Sequence, residues 1–499
     1  MTKRTIALAA ALLLLGSPAL AQATKPADKG SVEYMAVLLD GQKIGHVQSQ
    51  RIVENGNVES RTLTNMTISR MGTSLTITQT VSCVETTAGR PISFVATMEM
   101  GQAGKSLGKL GTQSVHGMID RNGRAIVTTG QPPSTQSRTF AWPNGAVLAE
   151  GQRLTMVKHG LAKGTTYTIA AFDPTMQSVT PTQIVVGDRE PVDLLGRVVT
   201  LTKVTATLTA AGSTVTATNY VDDDFNTLKS VMPMIGMNVQ MVACDKAFAL
   251  SKNQTVDFMA KLALTSPVPL DKAAKVSAVS YRLKASSPEA KLKVPATDNQ
   301  SVKTGDGAVT VTVRPLRVVK GGAMPYRGTD QAALDALKPT EYLQCNEPKV
   351  KALARKAVGK AGDAASAARN IEQYVRAYIK KKDLSVGYAT AAEVVDSRQG
   401  DCTEHAVLAA ALCRASGIPA RVAVGLGYMP VMGKMRDVFA PHAWFCVLVD
   451  GKWIGMDAAL DGFDTRHITL AESDGNPEDF FGLIGTLGYF TIDAVTISK

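Results

Sequence analysis

The most constraining feature of this chain is a change of rhythm past its middle. From about Ser31 to Ala249 the residues alternate with period two. Tyr34–Leu39, Ile44–Val53, Arg61–Ser69 and Ser74–Val84 are rich in Val, Ile, Thr and Leu, as half-buried strands are. Asp40-Gly41, Asn55-Gly56, Asn122-Gly123 and Asn144-Gly145 punctuate them, and such pairs suit tight hairpin turns with positive φ. Strands joined this closely have no room for helical crossovers. They predict a large antiparallel sheet, as a sandwich or a partly closed barrel, and Thr-rich stretches such as Thr73–Thr80 predict one solvated face. From Pro348 the spacing becomes helical. Val350–Val358 and Ala364–Ile379 carry apolar residues at helical intervals, with Ile371, Val375 and Tyr378 on one face. Thr390–Val395 is a third helix, a fourth starts at Cys402, and strands follow at Ala440–Val449 and Lys452–Asp457. Between the two regimes, Thr265–Lys303 is rich in Pro, Ser, Lys and Ala, with short β segments at Ser277–Leu283 and Ala308–Val319.

The expected organisation is multidomain: a leader at 1–21, an antiparallel β domain at 30–262, a linker with a small β unit at 263–342, and an α+β domain at 343–499. The leader rests on Lys3 and Arg4 before an apolar run, Ile6–Leu15, and a small-x-small cleavage site at Ala19-Leu20-Ala21, the pattern of a secretory signal peptide. That run is about half the ~20 residues a membrane-spanning helix needs. Export to a periplasmic or secreted location, with no transmembrane segment, is therefore expected. Hydrophobic residues at 45% and charged residues at 19% exclude a largely disordered chain. The net charge of +11 would suit an anionic partner, but basic runs such as Lys349-Val350-Lys351 and Lys380-Lys381-Lys382 have no aromatics among them. They read as solvated helix faces, so no nucleic-acid partner is expected. Six cysteines in 499 residues are too few for a disulfide-built scaffold. An oxidising compartment would permit a Cys83–Cys244 bridge inside the β domain, while Cys413 and Cys446 read as packed core.

The chemistry concentrates in Asp396-Ser-Arg-Gln-Gly-Asp-Cys-Thr-Glu-His405. Asp401 is a good N-cap, and Glu404 three residues on can reach back to it. The helix continues through Val407, Leu408 and Leu412 and stops at Gly417, followed by Pro419. Cys402 is then the first helical residue, where unpaired N–H groups and the helix dipole favour a thiolate and can receive an oxyanion. A second element supplies partners. Asp450-Gly451 is a two-residue turn, and pairing Val449 with Lys452 sets Trp444 opposite Asp457. Asp457 becomes the diagonal neighbour of His442 on one face. A carboxylate there can orient an imidazole whose other nitrogen serves Cys402, the logic of an activated nucleophile.

Gly400-Asp401-Cys402, Gly417-Ile-Pro-Ala-Arg421, His442-Ala-Trp444 and Trp453-Ile-Gly-Met-Asp457, in that order, resemble the core of the bacterial transglutaminase-like superfamily over roughly Leu343 to Leu470. The resemblance implies a papain-like α+β fold, with Cys402 as nucleophile, His442 as general base and acid, and Asp457 as orienter. His467-Ile-Thr-Leu470 resembles an element recurring in one bacterial branch. The β-rich first half, with Asp40-Gly-Gln-Lys-Ile-Gly45, resembles the domain preceding the enzyme there. The expectation is a cysteine-dependent amide hydrolase or acyltransferase acting on a protein or peptide amide, with hydrolysis (protease or amidase) favoured over protein-glutamine amine transfer, because an exported site receives water by default. No metal or organic cofactor is required. Alternatives are a zinc site on Cys402, His405 and His442, and a non-enzymatic envelope-binding or scaffold protein. Trp444 is expected as a wall to the substrate or a core residue, and Arg421 as a carboxylate clamp or a structural residue; Tyr388 and Gln399 lie upstream of the nucleophile, within range of an oxyanion hole, but nothing in the sequence assigns them to it.

Overall fold

The structure, a computed structural model, describes residues 31–70, 73–102, 112–131, 134–210, 213–234, 236–286, 292–317, 320–381, 389–475 and 486–498. The expected leader and Tyr388 lie outside them. The chain divides into two compact units with the boundary between Val256 and Asp257. No helix among the described residues is long and apolar enough to cross a membrane.

The first unit is one 14-stranded antiparallel sheet. β1 (Val32–Leu39) pairs with β14 (Met237–Ala243), and two hairpin meanders run outward from that seam to β8 (Ser134–Ala141) on one side and β9 (Thr166–Asp173) on the other. The predicted turns form where expected: both central residues have positive φ at Asp40-Gly41 and Asn55-Gly56. The sheet curls rather than splitting into a sandwich. Phe94 and Phe172, from opposite meanders, have ring centroids 5.4 Å apart, Trp142 lies 4.4 Å from Phe172, and Val147, beyond β8, bridges to Ala171 of β9.

The chain between β8 and β9 contains a helix the strand pattern did not announce, α1 (Ala149–His159). Its N-cap position is Leu148, whose apolar side chain cannot accept a capping hydrogen bond. Glu85, from β4 (Thr73–Thr86), supplies the missing acceptor, taking the backbone N–H groups of Glu150 and Gly151 at 2.5 and 2.9 Å. Glu150 is itself buried, and both its oxygens are taken by Arg51 and Arg153. This capping is non-local, so no adjacent residue could signal it.

The Cys83–Cys244 bridge that an oxidising compartment would permit is not formed; all six cysteines are free. Cys83 lies on β4 and Cys244 just beyond β14, four strand spacings apart in the sheet order. That is roughly 19 Å at the usual interstrand distance, far beyond what a disulfide spans.

The second unit combines two sheets with four principal helices. β15 (Leu264–Thr265), β20 (Met435–Val449), β19 (Ala420–Met432) and β22 (His467–Ser473) lie side by side in that order, and β21 (Lys452–Met456) pairs with β20. A second sheet has the order β17 (Gln300–Gly305), β18 (Ala308–Val313), β16 (Ala278–Ala285), β23 (Phe490–Ser498). The helices are α2 (Pro348–Val358), α3 (Ala364–Tyr378), α4 (Ala391–Ser397) and α5 (Cys402–Ala415). Every residue of α5 from Ala406 to Cys413 is buried. Such a helix, apolar on all sides, belongs at a domain centre.

The stretch 263–342, expected as linker plus a separate β unit, is integral to this core. Leu270, Val279, Tyr281, Val311 and Tyr342 share one buried cluster with α5, and β16 pairs with the C-terminal β23. Composition misleads here because the polar residues have partners. Asp298 accepts the Trp453 N–H at 2.9 Å, Asn299 donates to the Trp453 carbonyl at 2.9 Å, and Gln300 bonds both backbone groups of Thr469 at 2.8 and 2.9 Å. Three consecutive side chains thus pin β21 and β22, the strands that lead to the site.

Candidate active site

The site begins at the mouth of α5. Asp401 has extended backbone geometry and its carboxylate accepts the Thr403 N–H at 2.8 Å. Glu404, fully buried, reaches back to the Asp401 N–H with one oxygen and takes the Ala389 N–H with the other, both at 2.9 Å. This capping box consumes donors of the first turn and sets Cys402, half-buried, as the first helical residue. Gly400 makes the approach possible. Its φ of 150° and the Glu404 side chain packed against it leave no space for a Cβ. Gly400→Ala should therefore destabilise the unit by about 2 kcal/mol and slow alkylation of Cys402, as read by urea unfolding and peptide mapping.

The partners come from the β20–β21 hairpin. Asp450 and Gly451 both have positive φ, and the ladder runs from Val449↔Lys452 to Phe445↔Met456, the register anticipated from the turn. Asp457 follows directly, and its Oδ2 lies 2.7 Å from His442 Nε2. The carboxylate is held from every side. Oδ1 accepts the Ala459 and Leu460 N–H groups at 2.7 and 3.1 Å, and Oδ2 also meets His467 Nε2 at 3.1 Å. From α3, Glu372 accepts the Asp457 N–H and Arg376 donates to its carbonyl, both at 2.8 Å.

Asp457 and His442 are 0% and 5% exposed, so their electrostatics are strong. Burial would raise the Asp457 carboxyl, but the His442 charge and the two imidazole hydrogen bonds outweigh it and hold the group well below the usual carboxylate range. Burial likewise opposes charge on His442. Asp457, and next Cys402, whose side chain faces the ring, overcome that and push its pKa up to about 10. With Nε2 committed to Asp457, Nδ1 is the nitrogen left for the sulfur.

Trp444, expected as a wall toward substrate, is only 1% exposed. It stacks on His442 at 5.9 Å and meets His467 edge-on at 5.3 Å. The structure thus makes it support for the rings rather than a surface for ligand. It faces inward because Phe463, from the loop after β21, packs over this face of β20, where Ala423 and Cys446 lie beside Trp444. Arg421 pairs with Glu472 at 3.3 Å and lies over the Trp453 ring at 3.8 Å, a structural use of the guanidinium. Gln399, before the helix, is half-buried and bridges to Lys381.

The zinc alternative does not assemble among the described residues. His405 directs Nδ1 to the Asp401 carbonyl at 2.5 Å. The ligand-type side chains that do converge are His442, Asp457 and His467. An ionised carboxylate only accepts, so both imidazole Nε2 atoms must carry protons toward it, leaving no lone pairs aimed at a common point. His467 is the site residue whose role the sequence did not reveal. Its available signal was position: a histidine opening an apolar strand ten residues after Asp457.

Residues 351–458 match the family model of the transglutaminase-like superfamily. No curated protein matches the sequence. Among solved structures the chain is similar to a candidate cysteine protease from Cytophaga hutchinsonii, at 18% identity and a TM-score of 0.31, covering 48% of this chain and 84% of that one. It is also similar to a β-barrel-like protein of a domain of unknown function from Brucella abortus, at 13% identity and a TM-score of 0.34, covering 44% and 96%. A candidate protease from Parabacteroides distasonis has 12% identity and a TM-score of 0.19, covering 80% and 70%. The family match spans both Cys402 and the His442–Asp457 hairpin, and it covers α3, α4 and α5 in full. The chain therefore joins a 14-stranded antiparallel β unit to a transglutaminase-like domain.

Proposed function

We propose that this protein is an exported cysteine-dependent amide hydrolase, acting on a protein or peptide bond of the cell envelope through Cys402, His442 and Asp457. The carrying observation is the 2.7 Å contact of His442 Nε2 with Asp457 Oδ2, with the ring's other side turned to a cysteine at a capped helix mouth. The Cys402 thiolate adds to the carbonyl carbon, forming a C–S bond and an oxyanion that the Cys402 N–H, the first-turn donor the capping box leaves over, receives. The imidazolium of His442 gives its proton to the leaving nitrogen, the C–N bond breaks, and a thioester remains. His442, now neutral, takes a proton from water. The hydroxide adds, the C–S bond breaks, and acid and thiolate are released. Asp457 holds the ring and balances its charge throughout. A primary amine in place of water would make the same intermediate a cross-linking step.

Two measurements test this reading. Incubation with an envelope extract followed by mass spectrometry should capture an acyl group on Cys402. A labelled primary amine offered with glutamine-containing proteins should not be incorporated. Incorporation dependent on Cys402 and His442 would replace hydrolysis by transfer, and no acyl capture under either condition would favour an envelope-binding role. Export rests on the residues 1–21 pattern, and the N-terminal sequence of the secreted protein should begin after Ala21.

The pH profile follows from His442. Its imidazolium is the proton donor, and with its pKa pushed up to about 10, kcat/KM should hold through pH 9 and fall as pH rises through about 10. Stability has the same sign. A pKa raised on folding from an ordinary 6.5 stabilises fully below pH 6.5, and that contribution is lost as pH climbs toward 10. Wild type should therefore lose more Tm between pH 7 and 10 than His442→Gln does.

A further inference from the structure

The proposed acyl-transfer step uses one histidine, yet a second is buried on the same carboxylate. His467, 2% exposed, opens β22 opposite Gly427 of β19. β19 runs between β20 and β22, and the two imidazoles reach toward each other across it, with ring centroids 5.7 Å apart. Gly427 keeps that crossing clear, because a Cβ there would come within 3.0–3.1 Å of the His442 ring and its Cβ. The arrangement continues past His467. Its Nδ1 meets the Asp464 backbone N–H at 3.3 Å and the Asp464 carboxylate at 3.6 Å. Arg466 grips that carboxylate with Nε and Nη2, the latter at 2.7 Å. The loop itself is tied down, with Tyr281 donating to the Thr465 carbonyl at 2.8 Å and Thr465 donating to Ala273 at 2.5 Å.

A buried imidazole that served only to fill space would be replaceable by Leu or Phe at no loss, since burying polar groups is unfavourable unless they are bonded. Here each nitrogen has an assigned partner, and the shared partner is the carboxylate that orients His442.

We propose that His467 is a positioning residue of this site: by donating to Asp457 Oδ2 it keeps that carboxylate ionised and aimed at His442. The inference rests on the reading of Cys402, His442 and Asp457 as the reacting set. Four hydrogen bonds hold the Asp457 oxygens, two on each. Without the fourth, burial favours a neutral carboxyl, Oδ2 can turn away, and His442 loses the charge that keeps it protonated. The groups facing this pair are Cys402 from α5, Glu372 and Arg376 from α3 beside Asp457, and Asp464 and Arg466 beside His467, while the two imidazoles oppose each other's charge across the 5.7 Å between their rings, a repulsion the shared carboxylate must outweigh. No other element packed here brings an opposing carboxylate to His442 among the described residues.

The test uses the full-length protein with labelled histidine, comparing His467→Leu with His467→Gln, whose amide can still donate to Asp457. The His442 ring titration is followed by NMR and the iodoacetamide reaction of Cys402 by peptide mapping. His467→Leu should lower the His442 midpoint by at least about one pH unit and slow the Cys402 reaction about tenfold. His467→Gln should restore most of both. An unchanged or raised His442 midpoint in the Leu variant would overturn the proposal, as would a Gln variant no better than Leu. If the Leu variant does not fold, Asp464→Asn, which loosens His467 from behind, should move the His442 midpoint in the same direction, and no movement would overturn it. The His442 titration needs no turnover. An inactive wild type would sink the proposed reaction while leaving this coupling measurable.

Discussion

Cys402→Ala should eliminate acyl capture and lower kcat/KM by about ten-thousand-fold or more, while leaving the unfolding midpoint nearly unchanged. The two halves of that expectation have separate causes. Chemically, no other residue of the site can form the thioester, and the other five cysteines are poor substitutes: the thiols of Cys83, Cys244, Cys345, Cys413 and Cys446 are all pushed up by desolvation. Structurally, Cys402 is half-buried and on the edge of the core cluster, and the helix mouth is held by Asp401 and Glu404 rather than by the sulfur. Residual activity above about one part in a thousand, measured on the same amide substrate, would place the nucleophile elsewhere. A collapse in stability would show that Cys402 is packing.

Asp457→Ala is the change that should damage stability and chemistry together. It removes the acceptor for four hydrogen bonds in a site with no solvent to replace them. Leaving a buried charged partner uncompensated costs about 3–5 kcal/mol, and losing the orienter of a catalytic histidine costs about ten-thousand-fold in kcat. Asp457→Asn separates the two effects. Its oxygen can still serve the Ala459 and Leu460 amides, so urea unfolding should place it between wild type and Ala. Its NH2 group faces two ring nitrogens that carry protons, so His442 must turn or change tautomer, and kcat should fall nearly as far as in the Ala variant. Equal activity in Asn and wild type would remove Asp457 from the mechanism.

How much of this was legible in the residues follows from the range of the interactions. The Asp450-Gly451 turn announced the β20–β21 register, and that register makes His442 and Asp457 diagonal neighbours, a placement that Glu372, Arg376 and the Asp298–Gln300 stretch then hold from a distance. The N-cap at Asp401 and its answering Glu404 are likewise three residues apart, and both form. The helix α1 was hidden because its cap, Glu85, comes from 65 residues away. The stretch 263–342 reads as a linker because Pro, Ser and Lys dominate its composition, yet Asp298, Asn299 and Gln300 find their partners on strands more than 150 residues later. Trp444 could be placed on the correct strand face, but which neighbour covers that face depends on Phe463 arriving from a loop.

The amino-acid order alone determined the periodicities, the tight turns and the helix mouth at Cys402, since each depends on contacts within a few residues and on backbone geometry. Only the tertiary structure decided that the sheet curls into a partly closed barrel, that the middle stretch clamps the site, and that His467 shares the Asp457 carboxylate. Those outcomes come from side chains that are far apart along the chain and satisfy one another's polarity only after burial has excluded water.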